Sequence, residues 1–293
     1  MKILLTGARG QLGRCLQDRY PDQAHLLMPD RQELDMSQPG SIAQYVRQAQ
    51  PDWIINAGAY TAVDRAETEP DVALAVNATA PAELARVARE IGARLMHVST
   101  DYVFDGSAVQ PYGEADPTNP LNAYGATKLQ GEKAVLDAMP AACVIRTSWV
   151  YSEYGNNFLK TMLRVAERYQ AQDQALSTPI RVVDDQIGCP TYAGDLADAI
   201  LAIHGMSQPV SGLYHYSGST VLSWFDFAKR IFDCKHGMDA DFVMPPLEPI
   251  PTSEYPTPAA RPASSVLSCE KIAALGIAPK ALDEALAKVI GRL

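Results

Sequence analysis

Short apolar runs alternate with helical patterns through the first half of the chain. Runs of four to six mostly apolar residues predict strands at Lys2–Thr6, His25–Met28, Trp53–Asn56, Arg94–Ser99 and Ala142–Thr147. Between them, apolar residues recur at helical spacing and predict helices at Gln11–Arg19, Ser41–Gln50, Asp71–Asn77, Ala80–Ile91 and Tyr124–Ala138. Strands alternating with helices imply right-handed βαβ units and a parallel sheet, so an α/β, Rossmann-like doubly wound fold is expected. The second half is less regular. Helices are expected at Asn157–Tyr169, Gly194–Ile203, Ser223–Phe232 and Ala281–Ile290. The stretch Pro245–Pro262 carries seven of the 21 prolines, cannot be helical and is expected to cross the surface near the site. The expected organisation is a dinucleotide-binding domain over residues 1–150, with part of the later chain, and a small C-terminal α/β substrate lobe over 151–293.

Whole-chain properties narrow the function. A net charge of −9 argues against a nucleic-acid partner, because phosphate binding needs a basic surface. No stretch approaches the roughly 18 apolar residues that span a bilayer, and the N-terminal apolar run leads into a glycine loop, so a cytoplasmic protein is expected. Cys15, Cys143, Cys189, Cys234 and Cys269 are odd in number and widely spaced, which favours free thiols over disulfides or a metal site.

Gly7-Ala8-Arg9-Gly10-Gln11-Leu12-Gly13 follows the first strand and opens the first helix. Gly7 permits the turn, Gly10 lets the backbone approach a pyrophosphate, and Gly13 lets the helix pack close to the sheet. The free N–H groups of the helix start then face the phosphates. The alternative is a simple glycine turn. Asp30 stands about 20 residues after the loop, where a carboxylate accepts hydrogen bonds from ribose hydroxyls and favours NADH. Arg31 beside it suits a 2′-phosphate, so use of both NADPH and NADH is expected; an exposed Asp-Arg turn is the bland alternative.

Tyr124 and Lys128 sit four apart at a helix start and share a face. Such a pair is common by itself. Here it follows the glycine loop, the small-residue strand end Asn56-Ala57-Gly58-Ala59 and the strand end Ser99-Thr100-Asp101, in that order. A carbonyl reductase needs an acid for the developing alkoxide. A phenol serves, a neighbouring ammonium favours its phenolate, and Thr100 can bind the same oxygen.

These residues resemble the extended short-chain dehydrogenase/reductases. Several further segments narrow the resemblance to the dTDP-4-dehydrorhamnose reductase family. They are Ala59–Asp64, Ser99–Gly106, Asn122–Lys128, Arg146–Tyr151, Gly155–Phe158, Asp185–Thr191 and Pro256–Pro262, and with the loop they cover nearly the whole chain. The resemblance implies hydride transfer from a nicotinamide to the 4-keto carbon of dTDP-4-dehydro-L-rhamnose. It implies that Gly10, Gln11, Leu12, Asp30, Asp35, Met36, Ala59, Tyr60 and Thr61 line the cofactor, with Tyr124 and Lys128 touching it. Thr100, Asp101 and Trp149 would contact the sugar nucleotide, and Arg261 suits its pyrophosphate. Trp149 can also be read as a core aromatic, and Arg261 as a solvated loop residue. Rival readings are an epimerase or dehydratase of the same superfamily, and a non-catalytic dinucleotide-binding regulatory subunit. Some members of the family are dimers bridged by magnesium through acidic side chains. This chain has Cys15 and the pair Gly194-Asp195 at the corresponding positions. A hard cation wants oxygen, not a thiol, so no metal site is expected, while a homodimer stays open.

Overall fold

The computed structural model describes residues 1–20, 25–171 and 178–293. A six-stranded sheet forms the centre. Its strands are β1 (Ile3–Thr6), β2 (Leu26–Leu27), β3 (Trp53–Asn56), β4 (Arg94–Thr100) and β5 (Cys143–Thr147), with a sixth, β6 (Gly212–His215), from the second half. Their order across the sheet is β6-β5-β4-β3-β1-β2, and every pairing is parallel. The doubly wound fold expected from the alternating pattern is therefore present.

The two faces follow from period-two alternation. Ile3, Leu5, Trp53, Ile55, Met96, Cys143 and Ile145 point to one side, into a core shared with α1 (Gln11–Arg19), α7 (Phe158–Ala171), α8 (Ala193–His204), α9 (Trp224–Met238) and α10 (Leu282–Ile290). Leu4, Ile54, Leu95 and Val144 point to the other, against α2 (Pro39–Ala49), α5 (Ala80–Ile91) and α6 (Ala123–Ala138). Because both faces are covered, the strands read as apolar runs.

The predicted frame needs amendment at several places. The sheet takes β6 from a region with no predicted strand; Gly-Leu-Tyr-His lacks β-branched residues and its first half is only half-buried. The helices expected at Asp71–Asn77 and Ala80–Ile91 form one continuous rod: α4 (Pro70–Leu74), a π turn at Ala75–Thr79, then α5. A short helix α3 (Val63–Ala66) precedes them. The proline-rich stretch is not all irregular, since Leu247–Ile250 pairs in parallel with Ile180–Val183. Val150–Tyr151 pairs with Thr191–Tyr192 beyond the end of β5.

Helix α6 is held unusually close to its neighbours. A methyl on Gly125 would lie 2.1 Å from the Tyr102 carbonyl oxygen, and one on Gly131 would lie 2.0 Å from that of Asn77. Beneath the helix, the Arg146 guanidinium of β5 makes a two-pronged pair with Glu132, at 2.9 and 2.7 Å, and both side chains are buried. Removing one partner of such a pair strands a charge in the interior. Glu132→Ala should therefore lower stability by about 3–5 kcal/mol, read from urea denaturation, with Glu132→Gln costing less. A loss below about 1 kcal/mol for the alanine variant would show that solvent reaches Arg146.

Candidate active site

The chain runs from β1 outward to β2, then crosses back to β3. That reversal leaves a crevice at the carboxyl ends of β1 and β3, the place where open α/β sheets take ligands. The crevice has a volume of about 580 Å³. Its walls include Gly7 after β1, Asp30, Arg31, Asp35 and Met36 after β2, and Ala59 and Tyr60 after β3. Arg9, Arg65, Glu69 and Val76 line it too.

The glycines answer to geometry. Gly7 has φ 68°, and a side chain there would strike Gly58 N at 2.6 Å. A methyl on Gly13 would lie 2.3 Å from the Gly7 carbonyl oxygen. Gly10 begins α1 in an extended conformation with no side-chain cap, so the first N–H groups of the helix point outward without a partner from a cap. Leu12 is buried in the core beneath. Gln11 turns its carboxamide away, accepting from Ser152 Oγ at 3.0 Å and Asn157 Nδ2 at 2.8 Å. It thereby ties the loop to the second half of the chain. These features fit an extended dinucleotide whose phosphates meet a helix start.

Asp30 accepts from the backbone N–H of Gln32 and of Glu33 through Oδ1, and Arg9 stands 3.8 Å from its Oδ2. Arg31 is well exposed, 3.9 Å from Asp35. Two guanidinium groups thus flank Asp30, and the sequence reading found only Arg31. Asp35 is held below the usual carboxylate range by hydrogen bonds from the backbone and hydroxyl of Ser37. Tyr60 directs its phenol to Glu69 at 2.5 Å, and Thr61 is exposed at the rim.

Asn77 joins this crevice to the catalytic candidates, and nothing in the sequence reading singled it out. Its Oδ1 accepts from the Tyr60 N–H at 2.8 Å. Its Nδ2 donates to the Tyr60 carbonyl at 3.1 Å and to Thr127 Oγ1 on α6 at 3.2 Å. It lies inside the π turn, where helical periodicity, the only available signal, is broken.

Thr100, Asp101, Tyr124 and Lys128 come together where β4 ends beside the start of α6. Asn122 caps that helix, accepting from Gly125 N at 2.8 Å, which fixes the turn presenting Tyr124. The Tyr124 phenol is pushed up to about 12 by burial, against a hydrogen bond with Thr100 that lowers it. Thr100 Oγ1 donates to Asp101 Oδ1 at 2.9 Å. Asp101 is buried and pushed up to about 6 by desolvation, opposed by Ser265 and Thr100. The expectation that Lys128 favours the phenolate is not met in this state. Its ammonium donates to the Val98 carbonyl at 2.6 Å, and burial draws it down to about 8, with Glu132 opposing. At Lys128 desolvation outweighs the neighbouring charge, and at Tyr124 the Asp101 carboxylate adds to it.

Trp149 has a left-handed φ of 45°, a strained conformation for a bulky residue. Its indole stacks on Trp224, centroids 3.5 Å apart and nearly parallel at 4°. Trp224 went unnoticed in the sequence. Arg261 is no free loop residue: its Nη2 lies 3.0 Å from each oxygen of Asp64. Nearby, Ala260 O accepts from Asn122 Nδ2 at 2.8 Å, so the proline-rich stretch does reach the N-cap of α6.

Comparison with known proteins agrees with this geometry. The family model for the RmlD substrate binding domain matches residues 1–293. The dTDP-4-dehydrorhamnose reductase of Salmonella typhimurium is 44% identical over 278 residues, covering 92% of this chain and 90% of that one. The chain belongs to the dTDP-4-dehydrorhamnose reductase family. A Bacillus anthracis dTDP-4-dehydrorhamnose reductase, solved in complex with NADP, superposes with TM-score 0.89 at 35% identity over 100% of both chains. A Thermus thermophilus UDP-glucose 4-epimerase, TM-score 0.79 and 18% identical, covers 100% of this chain and 98% of its own and shares the fold alone. Lys128, drawn down to about 8 by burial, offers a test in solution. If its charged form binds the cofactor, kcat/KM should fall about tenfold per pH unit above about 8. A profile flat to pH 10 would instead leave only the phenol near 12 to titrate.

Proposed function

We propose that the chain reduces the 4-keto group of dTDP-4-dehydro-L-rhamnose to give dTDP-L-rhamnose, using NADPH or NADH, for cell-surface polysaccharide synthesis. The observation that carries this reading is the gathering of Tyr124, Thr100 and Lys128 beside a glycine-loop crevice, in a chain 44% identical to a reductase of that name. The bound nicotinamide supplies the hydride. Tyr124 stays protonated at neutral pH, so it can give its proton to the 4-oxygen as charge develops there. Thr100 holds the same oxygen once its hydroxyl turns from Asp101 Oδ1. Lys128 holds the nicotinamide ribose once its ammonium leaves the Val98 carbonyl. Gly7, Gly10, Gln11, Leu12 and Gly13 cradle the pyrophosphate with Ala59, Tyr60 and Thr61. Asp30, Asp35 and Met36 receive the adenosine end. Asp101, Trp149 and Arg261 take the sugar nucleotide, the last as a guanidinium for its diphosphate. In this reading residues 1–150 chiefly bind the dinucleotide and 151–293 chiefly the sugar nucleotide.

No described helix is long and apolar enough to cross a membrane, and the five cysteines are free thiols. Both features support a cytoplasmic enzyme.

Tyr124→Phe should lower kcat by roughly 10²–10⁴-fold with little change in cofactor affinity. Turnover is followed as NADPH consumption with the keto-sugar nucleotide, and near-normal turnover would remove Tyr124 from the mechanism. Arg31→Ala should cost NADPH more than NADH in kcat/KM, because only NADPH has a 2′-phosphate. Equal losses would assign that phosphate to Arg9 or to no arginine.

A further inference from the structure

The resemblance raises the question of a bridging magnesium, and the residues present do not fit one. Magnesium demands several oxygen ligands at about 2.0–2.1 Å in near-octahedral array. Cys15 offers a buried sulfur whose thiol is pushed up to about 12 by burial and by Glu153, so it stays neutral. Gly194 offers no side chain. A methyl added there would lie 2.1 Å from Arg19 Nη2, so the space a ligand side chain would enter is filled by a guanidinium. Among the described residues, no group of three or more His, Cys, Asp or Glu is arranged to hold a metal ion.

The Arg19 guanidinium is fixed on every side. Its Nε lies 2.9 Å from Asp198 Oδ1, and its Nη2 lies 3.3 Å from the Tyr192 hydroxyl. Its Nη1 donates to the Cys15 carbonyl at 3.1 Å. The carboxylates around it are already matched. Lys280 reaches both Asp195 and Asp198 at 3.0 Å, and Glu153 pairs with Arg292 and accepts from the Tyr192 hydroxyl at 3.3 Å. Three cations thus face three carboxylates across the seam where α1 packs on α8. A divalent ion entering here would meet a guanidinium, and Asp195, Asp198 and Glu153 each already face a cation.

We propose that Arg19 is a tethered cation standing at the α1–α8 seam beside Cys15 and Gly194, where the resemblance would put a bridging magnesium, so that this face is neutralised without metal. A guanidinium suits the task, since it stays charged at every relevant pH and needs no dehydration of a small hard ion. The neutral Cys15 and the bare Gly194 then belong together: each leaves room for the arginine and neither adds a negative charge.

Two measurements test this independently of turnover. For the native chain, melting temperature and mass by light scattering are compared in EDTA and in MgCl₂, with NaCl matching ionic strength. No difference in either is expected. A magnesium-dependent rise in melting temperature, or loss of mass on chelation, would overturn the proposal. The second uses the double variant Arg19→Ala, Gly194→Glu, which removes the cation and places a carboxylate one turn from Asp198. It should melt lower in EDTA and regain at least about 2–4 °C in magnesium. A folded double variant that ignores magnesium would show that Arg19 does not stand in a metal's position. Should the variant not fold, the native chain's response alone decides.

Discussion

The arrangement depends above all on the buried pair between Glu132 and Arg146. It joins α6, which carries Tyr124 and Lys128, to β5, two strands from the cofactor crevice. A helix lying on a sheet by apolar contact alone can slide by a fraction of a turn at small cost. A two-pronged ion pair at 2.7 and 2.9 Å in the interior cannot follow such a slide without losing its geometry. The contacts at Gly125 and Gly131 act in the same direction, because the helix is already at the limit of approach. Glu132 also lies one turn beyond Lys128 and opposes the downward pull of burial on its ammonium. One carboxylate thereby sets both the position of α6 and part of its charge.

Electrostatics in the site follow from dryness more than from pairing. Tyr124, Lys128 and Asp101 are all displaced toward their neutral forms, and desolvation is the first cause in each. The acid role proposed for Tyr124, which gives up its proton only when negative charge appears on the substrate, is well served by such surroundings. His97, buried beneath, behaves alike: it lies well below its ordinary range through burial and the nearby Lys128, and Asn56 Nδ2 meets its Nδ1 at 2.9 Å.

Much of this was legible in the residues. The alternation of apolar runs with helical spacing yields the parallel sheet, because both faces of every strand must be covered. The glycine spacing yields the crevice, because only glycine fits where backbones approach within contact. What stayed hidden has physical reasons too. Gly212–His215 lacks the branched residues that mark a strand and earns its place through its neighbour β5. Asn77 sits in a π turn that erases the period used to read helices. Trp224 and Asp64 act through partners distant in sequence, Trp149 and Arg261, which no local pattern reveals.

Asn77 has one further consequence. Its single carboxamide grips the main chain of Tyr60 on one side and the hydroxyl of Thr127 on the other. Mechanically it is a pin through two plates. A shift of the crevice wall by a few tenths of an ångström must either break a buried hydrogen bond or drag α6 along, so the crevice wall and the helix bearing Tyr124 move as one piece.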